Sequence, residues 1–91
     1  MLYAIHCIDK PGHLETRKAN RDAHLAHIQG AEGAIVQAGP LLDAAGEMCG
    51  SLLIYEAECV AAAQAWADAD PYAKAGLFER VEIRPWKRVI G

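Results

Sequence analysis

Alternation opens the chain. Across Met1 to Ile8, Tyr3, Ile5 and Cys7 share one face of an extended segment, while Leu2, Ala4, His6 and Ile8 share the other. Both faces are largely apolar, which predicts a strand covered on both sides. Asp9-Lys10-Pro11-Gly12 is a turn signal that ends it. From about His13 to Gly30 the period becomes helical. At about 100° per residue, Leu14, Leu25 and Ile28 form one stripe, and Arg17, Arg21 and His24 fall on or beside it. Arg21 projects between Leu14 and Ile28. Charged groups rarely face a core unpaired. Stems lying on apolar surface with heads in water account for Arg17 more easily than for Arg21.

Gly30 to Gly33 breaks the helix. Ala34 to Ala38 reads as a second strand stopped by Gly39-Pro40, and Leu41 to Gly46 as a loop. Gly50 to Glu56 is a third strand, central by its apolar run. Val60 to Asp68 is a second helix whose alanines let it lie close on a sheet, with Trp66 as one large contact. Glu58 and Cys59 give it no good cap. Pro71 to Ala75 predicts a short helical turn ended by Gly76. Phe78 to Val89 is a last strand, with Val81 and Ile83 on one face and Glu82 and Arg84 on the other; Pro85 confines it to an edge or a bulge.

The order β-α-β-β-α-β predicts an α+β, ferredoxin-like domain over residues 1–91, with both helices on one face of a four-stranded antiparallel sheet. The other face is apolar and no third layer remains in the chain. A second copy, sheet against sheet, is the expected cover, giving a homodimer. The hydrophobic fraction of 53% in 91 residues fits that expectation, since so short a chain makes a marginal core alone. A net charge of -3 without a basic stripe argues against nucleic acid. Three cysteines, widely spaced and without a CxxC, make neither a disulfide framework nor a zinc ribbon. With no charged leader and no apolar run near the length of a membrane span, a cytoplasmic protein without a membrane partner is expected.

Asp70-Pro71 carries the first candidate chemistry. Asp is a favoured N-cap and Pro a favoured first helical residue, so Asp70 has a plain structural use. The same position holds a carboxylate rigidly enough to orient an imidazole, as the acid does in hydrolase triads. His24, on the inner edge of the first helix, is the natural imidazole. His27 makes a His-x-x-His pair with it, but His6 and His13 supply no matching ligand spacing, so no metal is expected. Ser51 fills a tight spot after Gly50 or donates a hydrogen bond; no GxSxG surrounds it. Gly39-Pro40 reads first as a turn. The absence of GxGxxG and of a P-loop argues against a nucleotide, and no cofactor is expected.

Across nearly all 91 residues the chain resembles the YciI-like family. The matching pieces are Met1-Leu2-Tyr3, Arg21-x-x-His24-Leu25, Ala38-Gly39-Pro40, Gly50-Ser51, Ala65-Trp66-Ala67-Asp68-Ala69-Asp70-Pro71-Tyr72, Ala75-Gly76 and Pro85-Trp86-Lys87. The resemblance implies a dimeric α/β barrel built from two sheets face to face. It also implies a cleft in each protomer with a His-Asp pair, which maps onto His24 and Asp70 as catalytic residues. Arg21, Ser51, Gly39 and Pro40 match positions near that cleft and become the candidate substrate-binding residues. One branch is similar to dehydrochlorinases of chlorinated hydroxyquinols, and the fold is shared with muconolactone isomerases. The expectation is therefore a cofactor-independent lyase or isomerase moving a proton on a small enolic or aromatic acid. The alternative is a non-catalytic dimeric module that binds a small ligand or a partner protein.

Overall fold

A computed structural model describes all residues, 1–91. The elements are β1 (Leu2–Asp9), α1 (Leu14–Ala19), α2 (Arg21–Gln29), β2 (Ile35–Leu42), β3 (Met48–Glu56), α3 (Val60–Asp68), α4 (Pro71–Lys74) and β4 (Phe78–Trp86). The four strands form one antiparallel sheet in the order β2-β3-β1-β4, the ferredoxin-like arrangement. The two inner strands are the two most apolar ones. Pro85 lies on edge strand β4, where its missing N–H breaks no inner ladder.

The core lies between the sheet and the helices. Ile5, Cys7, Leu53 and Ala67 are its centre, with Ile28, Ile35, Tyr55, Trp66 and Val81 packed around them. Cross-strand pairing sets this up: Ile5 faces both Leu53 and Ile83, and Cys7 faces both Ser51 and Val81. The alternate residues, Leu2, Ala4, His6 and Ile8 of β1 with Leu52 and Ile54 of β3, turn to the helix-free face, where Leu52 stays 41% exposed. Gly50 is required by contact: a Cβ there would stand 2.3 Å from the Cys7 carbonyl oxygen. No helix is long and apolar enough to cross a membrane.

Four sequence expectations change. The single helix from His13 to Gly30 is two, because Asn20 sits at φ -109°, ψ 6° and its side chain donates to the Thr16 carbonyl, competing with the helical ladder. The inward face of that pair is centred on Arg17 and His24, about 60° round from the Leu14–Leu25–Ile28 stripe. Arg17 is 2% exposed, whereas Arg21 is exposed. Finally, Gly39-Pro40 does not stop β2. The strand runs through to Leu42, because β2 is an edge and Pro40 costs it no inner hydrogen bond. The turn is the tighter one at 43–47, where Asp43 Oδ1 accepts from the amides of Ala45 and Glu47. The last strand ends at Trp86, short of Val89.

Candidate functional site

The site grows from α4, a helix of one turn that could not stand alone. Asp70 caps its start: φ -60° and ψ 128° put it outside the helix, and its Oδ1 accepts from the Tyr72 amide at 2.9 Å. Pro71 occupies the first helical position, where its missing N–H is no loss. Gly76 at φ 72° closes the other end. Its N–H bonds the Ala73 carbonyl while the Leu77 N–H bonds the Tyr72 carbonyl, and Leu77 is completely buried.

This clip presents Asp70 and Tyr72 to α2. His24 Nδ1 lies 2.9 Å from Asp70 Oδ1 and 3.0 Å from Oδ2, with both residues buried. The Tyr72 ring stacks on the imidazole at 4.0 Å and 14°. With Asp70 ionised, Nδ1 carries the proton and Nε2 holds the lone pair. Nε2 has no protein partner and opens on a cavity of about 270 Å³. Leu25, Ile28, Met48 and Leu53 give that cavity apolar walls, and Ala38, Gly39 and Pro40 of β2 close one side with short side chains. Ser51 and Arg21 also line it. The structure thus gathers His24, Asp70, Arg21, Ser51, Gly39 and Pro40 around one hollow, with Asp70 behind His24 and off the wall.

Sequence reasoning missed three residues there. Arg17 is locked by a fork to Asp9: Nε donates to Oδ2 at 2.6 Å and Nη2 to Oδ1 at 2.9 Å. Nη2 also donates to Ser51 Oγ at 2.9 Å, and the guanidinium lies 4.6 Å over the centre of the Tyr72 ring. Burial alone would lower the Arg17 pKa, but the bonds and charge of Asp9 outweigh it and raise it. Burial raises the Tyr72 phenol, against the pull of Arg17 and Arg21. Burial also pushes the Cys7 thiol up to about 12, helped by the Asp70 charge. Signals for two of the missed residues existed. Asp9 continues the inward series Tyr3, Ile5, Cys7, and Arg17 precedes His24 by seven residues, nearly in line on a helix.

His27 takes no part. Its Nε2 bonds the Trp66 carbonyl at 3.0 Å and its ring stacks on Trp66, so the two histidines of α2 diverge. No group of three or more His, Cys, Asp or Glu is placed to hold a metal ion, and the three thiols are free.

The family model of the YCII-related domain matches residues 1–87. Protein YciI from Escherichia coli O6:H1 is 46% identical, over 99% of this chain and all of that protein. An uncharacterized protein from Haemophilus influenzae is 37% identical over the same shares. Among solved structures, the 5-chloro-2-hydroxyhydroquinone dehydrochlorinase TftG from Burkholderia phenoliruptrix AC1100, in complex with 2,5-dihydroxybenzoquinone, superposes with a TM-score of 0.90. It is 38% identical, and the match covers 96% of this chain and 94% of that one.

Proposed function

The chain belongs to the YCII-related family, and from that membership we propose that it is a cofactor-independent enzyme of proton transfer, a lyase or isomerase acting on a small enolic or aromatic acid. One observation carries the reading: a buried imidazole, held by a carboxylate through Nδ1, turns an unpartnered Nε2 into a hollow sized for one small ring. In the proposed mechanism His24 is the general acid/base. Asp70 fixes the ring and its tautomer, and faces the positive charge that develops when Nε2 takes a proton. Arg21, exposed and without an ion-pair partner, supplies a cation for an acidic ligand. Ser51 supplies a hydrogen bond.

The likeness to TftG supports a dehydrochlorinase-like reaction. Net dehydrochlorination removes one proton and one chloride, the chloride leaving with the C–Cl electron pair, and needs no oxidant. An imidazole able to take and return a proton is the group such a step requires. The test is chloride release from 5-chloro-2-hydroxyhydroquinone, compared between wild type and His24→Ala. Release by wild type well above the uncatalysed rate and absent in the variant supports the assignment. Equal rates with both proteins would sink it.

The helix-free face belongs to the same proposal. Its apolar inner residues, with Leu52 partly in water, are covered by a second copy packed sheet to sheet. Light scattering at micromolar concentration checks this; a monomer there would refute it.

A further inference from the structure

The Asp9–Arg17 pair has a chemical consequence for the cavity. A guanidinium donates hydrogen bonds and accepts none. Asp9 takes the Nε proton and one from Nη2, and the other Nη2 proton goes to Ser51 Oγ. Ser51 is therefore fixed as an acceptor towards Arg17, and its own proton points elsewhere. No protein atom receives it, and Ser51 lines the cavity. Tyr72 behaves in parallel. The residue is 1% exposed and lines the cavity, and its hydroxyl is approached by the Arg17 guanidinium, which can only donate, so its own proton is free for another acceptor. Burial keeps that phenol protonated, a donor at neutral pH. Arg17 is neutralised by Asp9, which leaves Arg21 as the uncompensated charge on the wall.

Resting on the reading of this cavity as a substrate site, we infer that Ser51 and Tyr72 together donate to an oxyanion of the bound molecule, and that Arg17, anchored by Asp9, is a positioning residue that commits Ser51 to donating. The class of ligand follows. It is a small planar molecule with a delocalised oxyanion, an enolate, phenolate or vinylogous carboxylate, that accepts from two hydroxyls and presents its exchangeable proton to His24 Nε2.

The probe is 2,5-dihydroxybenzoquinone, an acidic coloured quinone, titrated by calorimetry and visible absorption. Ser51→Ala and Tyr72→Phe keep the fold's volumes and the ring stack while each removes one donor. Each is expected to weaken binding about tenfold or more, as loss of a hydrogen bond to a charged group does. Arg17→Lys keeps a cation but loses the fork. It is expected to weaken binding in the wild-type background and to add little once Ser51 is alanine, a non-additivity that a merely structural role would not produce. Where Arg17→Lys fails to fold, the two hydroxyl variants decide. Affinity within twofold of wild type in both hydroxyl variants overturns the inference, and so does the absence of wild-type binding at about 1 mM probe. The proton-transfer reading fails separately. If His24→Ala keeps full turnover while the hydroxyl variants lose the probe, the oxyanion receptor stands and the base assignment falls.

Discussion

The two histidines of α2 are three residues apart and meet the rest of the molecule in the same style. Each ring stacks on an aromatic side chain, Tyr72 at 4.0 Å or Trp66 at 4.3 Å, and each offers a nitrogen to an oxygen of the α3–α4 region at about 3 Å. The difference is the oxygen. His24 meets a carboxylate, His27 the backbone carbonyl of Trp66. A carbonyl needs an N–H from the ring, and it offers no charge to balance an imidazolium. The His27 end continues into a neutral ladder, with Trp66 stacked on Tyr55 at 4.8 Å. The His24 end continues into Arg17, Asp9 and Ser51 and borders the cavity. Geometry that looks alike thus divides into a packed seam and a poised group, and the partner atom makes the division.

The largest effect that would break this contrast is catalytic. On the proposed function, His24→Ala and Asp70→Asn are expected to lower chloride release from 5-chloro-2-hydroxyhydroquinone by about 10²- to 10⁴-fold. His27→Gln should stay within about threefold of wild type. Comparable losses at both histidines would erase the distinction. Next comes the buried ion pair. Arg17→Met strands the Asp9 carboxylate, and urea denaturation should show a loss of about 3–5 kcal/mol. Arg21→Met, on an exposed side chain, should change stability by no more than about 0.5 kcal/mol.

Burial beside the His24 end also gives stability a pH dependence. Cys7 holds its proton from the ordinary 9.0 up to about 12 in the folded chain. Its contribution is complete below pH 9 and is lost as pH rises from about 9 towards 12, at about 1.4 kcal/mol per pH unit. Replacing Cys7 with alanine should flatten the alkaline limb of a stability–pH curve measured by denaturant titration; an unchanged slope would remove the thiol from the account. Tyr72 adds a slope of the same sign above pH 10.0, since its pKa is raised as well. A more modest effect is expected at the packed seam. His27→Ala should cost about 1–2 kcal/mol of stability, read by urea denaturation, through the lost stack and carbonyl bond.

Much of this was legible in the chain. Alternation found the strands, and the order of elements fixed the ferredoxin-like fold, because so few topologies use six elements in that sequence. His24 and Asp70 stood out by residue type and by the Asp-Pro helix start. The failures share one cause. A helical wheel weighted by hydrophobicity turned Leu14 and Leu25 inward, whereas the fold turns Arg17 and His24 inward because each finds a carboxylate waiting. Those carboxylates lie 8 and 46 residues away, and no local pattern records such a meeting. Pro40 misled for a similar reason. Its cost to a strand depends on whether the strand is an edge, which is a property of the sheet and not of the segment.

The Asp70 oxygen that caps α4 is also one that His24 approaches. Oδ1 lies 2.9 Å from the Tyr72 amide nitrogen and 2.9 Å from the imidazole Nδ1. Two hydrogen bonds therefore draw on one atom, and the charge of the ring is felt at a backbone amide one bond further on. When the imidazole takes a proton, its claim on that oxygen strengthens and the amide's share weakens. The Tyr72 amide thereby senses the charge of the His24 ring. In a nitrogen–proton correlation spectrum its signal should track the protonation of His24, and in Asp70→Asn the signal should stop following pH while the cap itself persists.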